Sequence, residues 1–386
     1  MPKADTSVKW FHSDMPGAPT LRGEAGALIE LLDACLISGF DPRTPDSIAV
    51  AGEVATVTIG GGNPYEKHAV ITITGASVAG LNTEWRIATS AASSFTFACP
   101  GVVNGVATGA TIKRAGAGWE KAYSDVAKAA YRIPDLLSSR SYLRIDDTDA
   151  RCARVRGFES MSDIDTGEAP FPTFAQLAAE SFTAVKSSSA DATAVPWVVA
   201  ADGRQVLFFA AWHHNAYPWS HDALRFGDAA PFDAADVHCC VISASATIDP
   251  PYPGGNSSGN GAGVFHYLGS QNGTFVSRAH DQAVGAVRPT QLCVVNSAGD
   301  IVASPVHGRL LVAQPMLLYA DGSTRVRASM PGVFVGLERP DLGSIAGLDL
   351  RAVLDDGAQA MLAFRTNFAT NAGRVYGAVD IQGPWR

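Results

Sequence analysis

Short strand-like runs, some alternating with a period of two and some apolar throughout on either side of a turn, are the feature that most limits the fold of this chain. The run PWVVAADGRQVLFFAAW, residues 196–212, places two apolar segments on either side of Asp202-Gly203. Asp-Gly between apolar runs is a strong short-range signal of a β-hairpin. The same scheme predicts hairpins around residues 296–300 and around Asp321-Gly322. These runs predict a mainly β chain with antiparallel pairing.

Residues 47–114 predict a small β-sandwich or barrel module. The run IAVAGEVATVTI turns at Gly52, and three further strand-like runs follow: AVITITGA, TEWRIAT and SSFTFAC. Several short strands separated by regular turn signals are typical of such a module. We therefore expect an N-terminal arm and helix over 1–46, this module, and a larger antiparallel β domain over 115–386. The Pro/Gly-rich segment 250–263 is an alternative boundary within that domain.

Two segments have helical spacing. Apolar residues recur every three to four positions over 24–37, and Gly39 follows as a natural C-terminal stop. The run PTFAQLAAESFTAVKSS predicts a further packing helix over 172–186. The connector 115–134 has room for a short helix over 124–130, and residues 141–161 predict two strands around an aspartate-rich turn.

Composition and charge exclude several classes of function. The chain has 386 residues and a formal net charge of -8, without any Lys/Arg-rich run, so a nucleic-acid role is not expected. No apolar stretch approaches the ~20 residues of a membrane span, and the N-terminus lacks a signal-peptide core. We expect folding in a reducing cytoplasm, where the six scattered cysteines act mainly as small buried apolar residues.

The aromatic and histidine-rich run WHHNAYPWSHD, residues 212–222, is the candidate binding site. Rigid aromatic side chains on a loop suit a protein interface or the apolar face of a sugar, and packing into the core is the alternative. Histidines at such a contact could make assembly depend on pH. The candidate residues are Trp212, His213, His214, Tyr217, Trp219 and His221.

Motifs for catalysis or metal binding are weak. His213-His214 and Cys239-Cys240 have the side chains that zinc prefers, but neighbours on a strand point to opposite faces, so no metal site is predicted. The aspartates of the 146–149 turn lack the spacing of a calcium loop and indicate an ordinary Asx-type turn. No G-x-S-x-G elbow or phosphate loop is present. We predict no cofactor and no enzymatic activity.

Residues 54–99 resemble a small β module common in phage tail and fibre proteins. The matching elements are Ile71-Thr72-Ile73-Thr74-Gly75-Ala76, Leu81-Asn82 with Trp85, and Ser93-Ser94-Phe95-Thr96-Phe97. Three further runs are similar to uncharacterised virion structural proteins of tailed phages: SVKWFHSDMPGAP (7–19), GWEKAYSDVAKAAYR (118–132) and SYLRIDDTDARCARVRGFESMSDIDTGEAPFP (141–172).

The resemblance implies a structural component of a virion, in the tail or baseplate. Such a protein is expected to contact copies of itself, as a trimer or a higher ring, and other virion proteins. A capsid decoration or collar protein is one alternative. An exterior module that binds a host-surface glycan or receptor is the other, with the 212–222 loop as its site.

Overall fold

The computed structural model describes residues 2–177, 181–212, 222–247, 273–287, 289, 291–292, 312–313, 316–318, 325–336, 351–355, 359–365 and 376–386. Within these ranges the chain is mainly β, and every paired strand is antiparallel. The fold class predicted from the period-two pattern is therefore confirmed. None of the helices in these ranges has the length and apolar character needed to cross a membrane.

The first ten strands include a small β-sandwich. In chain order they are β1 Lys9–His12, β2 Phe40–Arg43, β3 Ser47–Ala51, β4 Val54–Thr58, β5 Val70–Thr74, β6 Glu84–Arg86, β7 Thr89–Ser90, β8 Ser94–Ala98, β9 Gly105–Ala107 and β10 Thr111–Arg114. One sheet has the order β2-β10-β5-β6 and the other β7-β8-β4-β3-β9. Alternate side chains of both sheets are buried in one shared hydrophobic cluster, which lies between them.

The next fourteen strands build most of two large sheets. They are β11 Glu120–Asp125, β12 Lys128–Arg132, β13 Tyr142–Asp146, β14 Cys152–Met161, β15 Gly167–Phe171, β16 Ser181–Val185, β17 Trp197–Ala201, β18 Gln205–Ala210, β19 Asp222–Asp228, β20 Ala230–Pro231, β21 Cys240–Ser243, β22 Ser245–Thr247, β23 Thr274–Arg278 and β24 Val284–Val287. One sheet has the order β1-β17-β18-β19-β21-β23-β24. The other has the order β11-β12-β13-β14-β16-β22, with β15 beside β14.

These two sheets share the main hydrophobic core. The ring of Phe182 meets that of Phe275 edge to face, with 5.6 Å between centroids, and Phe171 stacks on Phe226 at 6.0 Å. The predicted hairpin at Asp202-Gly203 is confirmed, because β17 and β18 pair in register from Trp197 to Ala201. All residues of both strands are buried, as expected for strands covered on both faces.

Eight further strands lie toward the C-terminus. They are β25 Gln291–Leu292, β26 Val312–Ala313, β27 Met316–Leu318, β28 Val326–Ser329, β29 Val333–Gly336, β30 Arg351–Asp355, β31 Ala360–Arg365 and β32 Tyr376–Asp380. They form sheets of order β20-β28-β27-β25 and β26-β29-β32-β31-β30. β27 pairs with β28, as the hairpin around Asp321-Gly322 predicts. The predicted turn at 296–300 and the segment 250–263 lie outside the described residues.

The N-terminal helix forms where its spacing predicts. The helix α1, Ala27–Leu32, continues into π-helical turns from Asp33 to Ser38. Its apolar residues are buried in the main core. Gly39 ends the helix with a φ of 68°, and a Cβ at this position would lie 1.9 Å from the carbonyl oxygen of Arg114. Glycine is therefore required here by both backbone conformation and space.

The prediction of a packing helix over 172–186 is wrong. A 3-10 turn forms at Ala175–Leu177, and the chain then enters β16 at residue 181. β16 pairs with β14 on one side and with β22 on the other. The buried sheet position therefore outweighs the helical spacing of Phe174, Leu177 and Phe182.

The short helix over 124–130 is also not observed. β11 and β12 form a hairpin there, and Asp125 pairs with Lys128 across its turn. Ala127 in the turn has a φ of 50°. The hairpin forms because β12 also pairs with β13 along its whole length, an interaction that the local sequence does not reveal.

Two buried arginines join the small sandwich to the rest of the protein. Arg86 at the end of β6 donates hydrogen bonds to the carbonyl oxygens of Asp5, Val8, His68 and Ile381. It thereby holds a segment near each end of the chain against the sandwich.

Arg114 is the second of these arginines and lies at the end of β10. It donates to the carbonyl oxygens of Pro16 and Pro64 and pairs with Asp41. Its guanidinium lies 5.1 Å from the ring centroid of Tyr65. Planar guanidinium groups suit such sites, because each can bond several acceptors at once.

Candidate functional site

The predicted aromatic and histidine-rich loop begins at the end of β18. Trp212 is partly buried, and its carbonyl oxygen accepts a hydrogen bond from the N–H of Ser188 at 2.9 Å. The other five predicted residues, His213, His214, Tyr217, Trp219 and His221, lie outside the described residues. The binding role of this loop stays a prediction.

The cysteines next to the predicted loop are core residues. Cys239 and Cys240 are buried in the main core. Burial raises the pKa of the Cys239 thiol to about 12 and raises that of Cys240 well above its usual value. Both are therefore protonated thiols at neutral pH, which agrees with their predicted packing role. Across the described ranges, no three His, Cys, Asp or Glu side chains are grouped as a metal site would require.

The aspartate turn between β13 and β14 contains the predicted Asx-type bonds. Asp146 accepts the N–H and hydroxyl of Thr148, and Asp149 accepts the N–H groups of Arg151 and Cys152. These short side chains stabilise the turn by bonding backbone two or three residues ahead. Their role is therefore structural.

Asp147 in the same turn has a different role that its sequence context does not predict. Its carboxylate accepts hydrogen bonds from the N–H groups of Leu28 and Ile29 at the start of α1, at 2.8 and 3.3 Å. It also forms an ion pair with Lys186, and both side chains are 0% exposed. Burial raises the pKa of Asp147 to about 6, although Lys186 and the two N–H groups favour its ionised form.

Lys186 completes this buried pair. Its ammonium also donates to the carbonyl oxygens of Glu24 and Asp149, at 2.7 and 2.9 Å. It therefore ties the end of β16 to the segment before α1 and to the aspartate turn. A single lysine after the apolar run FTAV is the one local signal that could have indicated it.

An apolar surface loop connects β12 to β13. Leu136 and Leu137 lie at its tip and are 80% and 84% exposed. We call residues 133–141 the leucine loop. Adjacent leucines that remain exposed on a folded chain are typical of a surface that another molecule covers.

The leucine loop is fixed at both sides of its tip. Asp135 accepts a hydrogen bond from the N–H of Leu137 at 2.8 Å and pairs with Arg204 at 2.6 Å. The N–H of Ser139 donates to Asp228 at 2.9 Å. Despite some desolvation, the Leu137 N–H and Arg204 hold the pKa of Asp135 below its usual value, so the carboxylate stays ionised. These hydrogen bonds and this ion pair hold the tip of the loop in one conformation. Binding of another molecule to the tip would therefore cost little conformational entropy.

Comparisons with known proteins do not identify a family for this chain. No family model matches the chain, and no curated protein matches it. Among solved structures, the chain is similar to the phage phi92 endosialidase, with 11% sequence identity and a TM-score of 0.17. The match covers 89% of this chain and 52% of that one, so this chain spans about half its length. A TM-score of this size does not establish a common fold.

Proposed function

We propose that this chain is a structural component of a tailed-phage virion, placed in the tail or baseplate. It acts there by contacting copies of itself and other virion proteins. The observation that carries the proposal is the leucine loop, whose two exposed leucines are held in place by hydrogen bonds on both sides. This loop lies between two of the runs that resemble virion proteins, residues 118–132 and 141–172.

The sheet architecture supports the proposal in a second way. Residues 54–99 resemble the small β module of tail and fibre proteins, and their strands β4 to β8 belong to a sandwich with its own core. Buried arginines at two of its strand ends, Arg86 and Arg114, fix that sandwich to neighbouring segments. Such attachment suits a subunit that must keep its contact surfaces in a constant relative position.

The proposal predicts where the chain lies in the particle. Gold-labelled antibodies raised against the purified chain should bind tails or baseplates of intact virions of the phage that encodes it. Peptides of the chain should also appear in mass spectra of those purified virions. Label on heads would instead favour a decoration or collar protein. Absence from purified virions, with the chain present in the infected cells, would contradict the structural role.

The leucine loop gives a second prediction. Replacing Leu136 and Leu137 together by serine should shift the purified chain toward the monomer in sedimentation velocity, because exposed leucines contribute apolar area to a contact. The free energy of unfolding should change by no more than about 0.5 kcal/mol, since neither side chain is packed.

A matched control for this pair is Val126→Ser. Val126 lies at the turn of the neighbouring β11–β12 hairpin and is 85% exposed. This variant removes a similar apolar group outside the leucine loop and should sediment as the unmodified chain does. Equal sedimentation of the double leucine variant and the unmodified chain would contradict the role of the loop in self-association.

A further inference from the structure

The outer face of the sheet that contains β13 and β14 carries several arginines. Arg132 pairs with Glu120, and Arg144 pairs with Asp165. Arg156 lies directly opposite Arg144 across the two strands. Two like charges face each other there, and the pairing of Arg144 with Asp165 compensates only one of them.

The side chain of Arg156 makes no hydrogen bond and no ion pair within the described part of the chain. Its Nη1 is buried without an acceptor. Its Nε and Nη2 are not buried in this way, and the residue as a whole is only partly buried. Burial, and then the nearby charge of Arg144, lower the pKa of Arg156. A guanidinium in this state gains from an anion more than a solvated surface arginine would.

Phe174 covers one face of this guanidinium, with 4.0 Å between the Arg156 Cζ and the ring centroid. The phenyl ring is nevertheless 67% exposed, so its other face is open. Its position is fixed by reciprocal hydrogen bonds between Thr173 and Gln176, at 2.8 and 3.2 Å. Gln176 also donates to the carbonyl oxygen of Ala286 at 2.7 Å, which ties the turn to β24.

We propose that Arg156 and Phe174 form a binding site for an acidic polysaccharide. The carboxylate of a sugar acid binds the open edge of the guanidinium, and a neighbouring sugar stacks its apolar face on the free face of Phe174. The guanidinium matches the carboxylates of such a polymer, and the flat aromatic ring matches the apolar faces of its sugars.

The small size of the site favours a carbohydrate over a protein partner. A stable protein interface covers about 800 Å² on each side, whereas this site consists of one guanidinium and one ring. The chain also has a net charge of -8, so only a local positive group can attract an acidic polymer. This binding goes beyond the assembly role proposed above and does not depend on it.

The test uses the purified full chain and oligogalacturonate, a polymer of carboxylated sugars, as the probe. Isothermal titration should show binding to oligogalacturonate and none to its methyl ester, in which the carboxylates are neutral. Arg156→Gln should weaken binding by roughly tenfold or more, since it removes a charge-assisted hydrogen bond. Phe174→Ala should weaken it by roughly threefold to tenfold.

Arg154→Gln is the matched control, because Arg154 is an exposed arginine on the same strand. It removes the same charge and should change the affinity less than about twofold. An equal loss in Arg154→Gln would overturn the site in favour of diffuse attraction. Equal binding of the methyl ester, or no binding of oligogalacturonate, would overturn the proposal itself.

Polyglutamate at the same carboxylate concentration tests the protein alternative. The carbohydrate assignment would be overturned in favour of an acidic peptide if polyglutamate bound as tightly as oligogalacturonate or more tightly, and if Arg156→Gln abolished that binding. The thermal midpoints of both variants should match that of the unmodified chain, since the side chain of Arg156 forms no hydrogen bond and Phe174 is exposed. If Arg156→Gln fails to fold, Phe174→Ala and the methyl ester still decide the outcome.

Discussion

Replacing Lys186 by methionine is expected to lower the free energy of unfolding by about 4 kcal/mol, because it leaves the buried Asp147 carboxylate without its counter-charge. Methionine fills a similar volume, so the loss reflects charge and hydrogen bonding more than a cavity. The carbonyl oxygens of Glu24 and Asp149 also lose their donor. Urea denaturation followed by circular dichroism measures the effect.

The pH dependence of this loss provides an internal check. Lys186 favours the ionised form of Asp147, so its removal raises the pKa of this carboxyl further. Below that pKa the carboxyl is neutral and no unpaired charge is buried. The difference between Lys186→Met and the unmodified chain should therefore be smallest below about pH 6 and should grow as the pH rises above it.

Lys128→Met is the matched control for Lys186→Met. Lys128 pairs with Asp165 at the surface, where Asp165 is 53% exposed. A pair of this kind contributes at most about 1 kcal/mol. If Lys186→Met lowers the free energy of unfolding no more than this control does, the ion pair between Lys186 and Asp147 does not stabilise the start of α1.

Replacing Arg86 by lysine is expected to lower the free energy of unfolding by about 3 kcal/mol. A lysine ammonium cannot reach all four carbonyl oxygens that the planar guanidinium bonds, although it keeps the charge. Residues 5–8 should then detach from the sandwich more often. Limited proteolysis should cut this segment faster in the variant, and urea denaturation should give the change in stability.

Arg43→Lys serves as the control for Arg86→Lys. Arg43 lies in β2 of the same sandwich and pairs with Asp41, but its side chain is 48% exposed. The same substitution there should change stability by less than about 1 kcal/mol and leave proteolysis of residues 5–8 unchanged. Equal proteolysis of the Arg86→Lys variant and the unmodified chain would show that other contacts hold the segment.

The elements predicted correctly are those whose signals are local. Asp202-Gly203 lies between two apolar runs, and a turn of this kind needs nothing from elsewhere in the chain. The helix that ends at Gly39 is similar, since its spacing and its stop are both present within fifteen residues or so. These parts of the fold follow from the sequence directly.

The segment 172–186 shows why other parts do not. It begins with a capping box at Thr173 and Gln176, so its first turn follows the local signal. Its second half joins a sheet as the strand between β14 and β22, and its partner β22 lies more than sixty residues further along the chain. Pairing and burial within this sheet determine the conformation of residues 181–185, and the local sequence pattern does not indicate them.

The charged residues were equally hard to predict. Lys186, Arg86 and Arg156 differ in the structure because their partners differ, and each partner comes from a distant segment. Lys186 forms an ion pair with Asp147, Arg86 donates a hydrogen bond to Ile381, and the guanidinium of Arg156 lies over the ring of Phe174. The predicted site at 212–222 rests on the opposite signal, a dense local run, and of its six candidate residues only Trp212 lies in the described part of the chain.

The hydrogen bonds of Arg86 also determine how the protein carries mechanical load. Its guanidinium holds Val8 and Ile381 at the same point, together with the carbonyl of His68 in the sandwich. Tension applied between residue 8 and residue 381 therefore acts on this side chain as well as on β1 and β32, which begin and end beside these residues. Separating Val8 from Ile381 therefore requires the hydrogen bonds of Arg86 to break together with the strand pairing on either side.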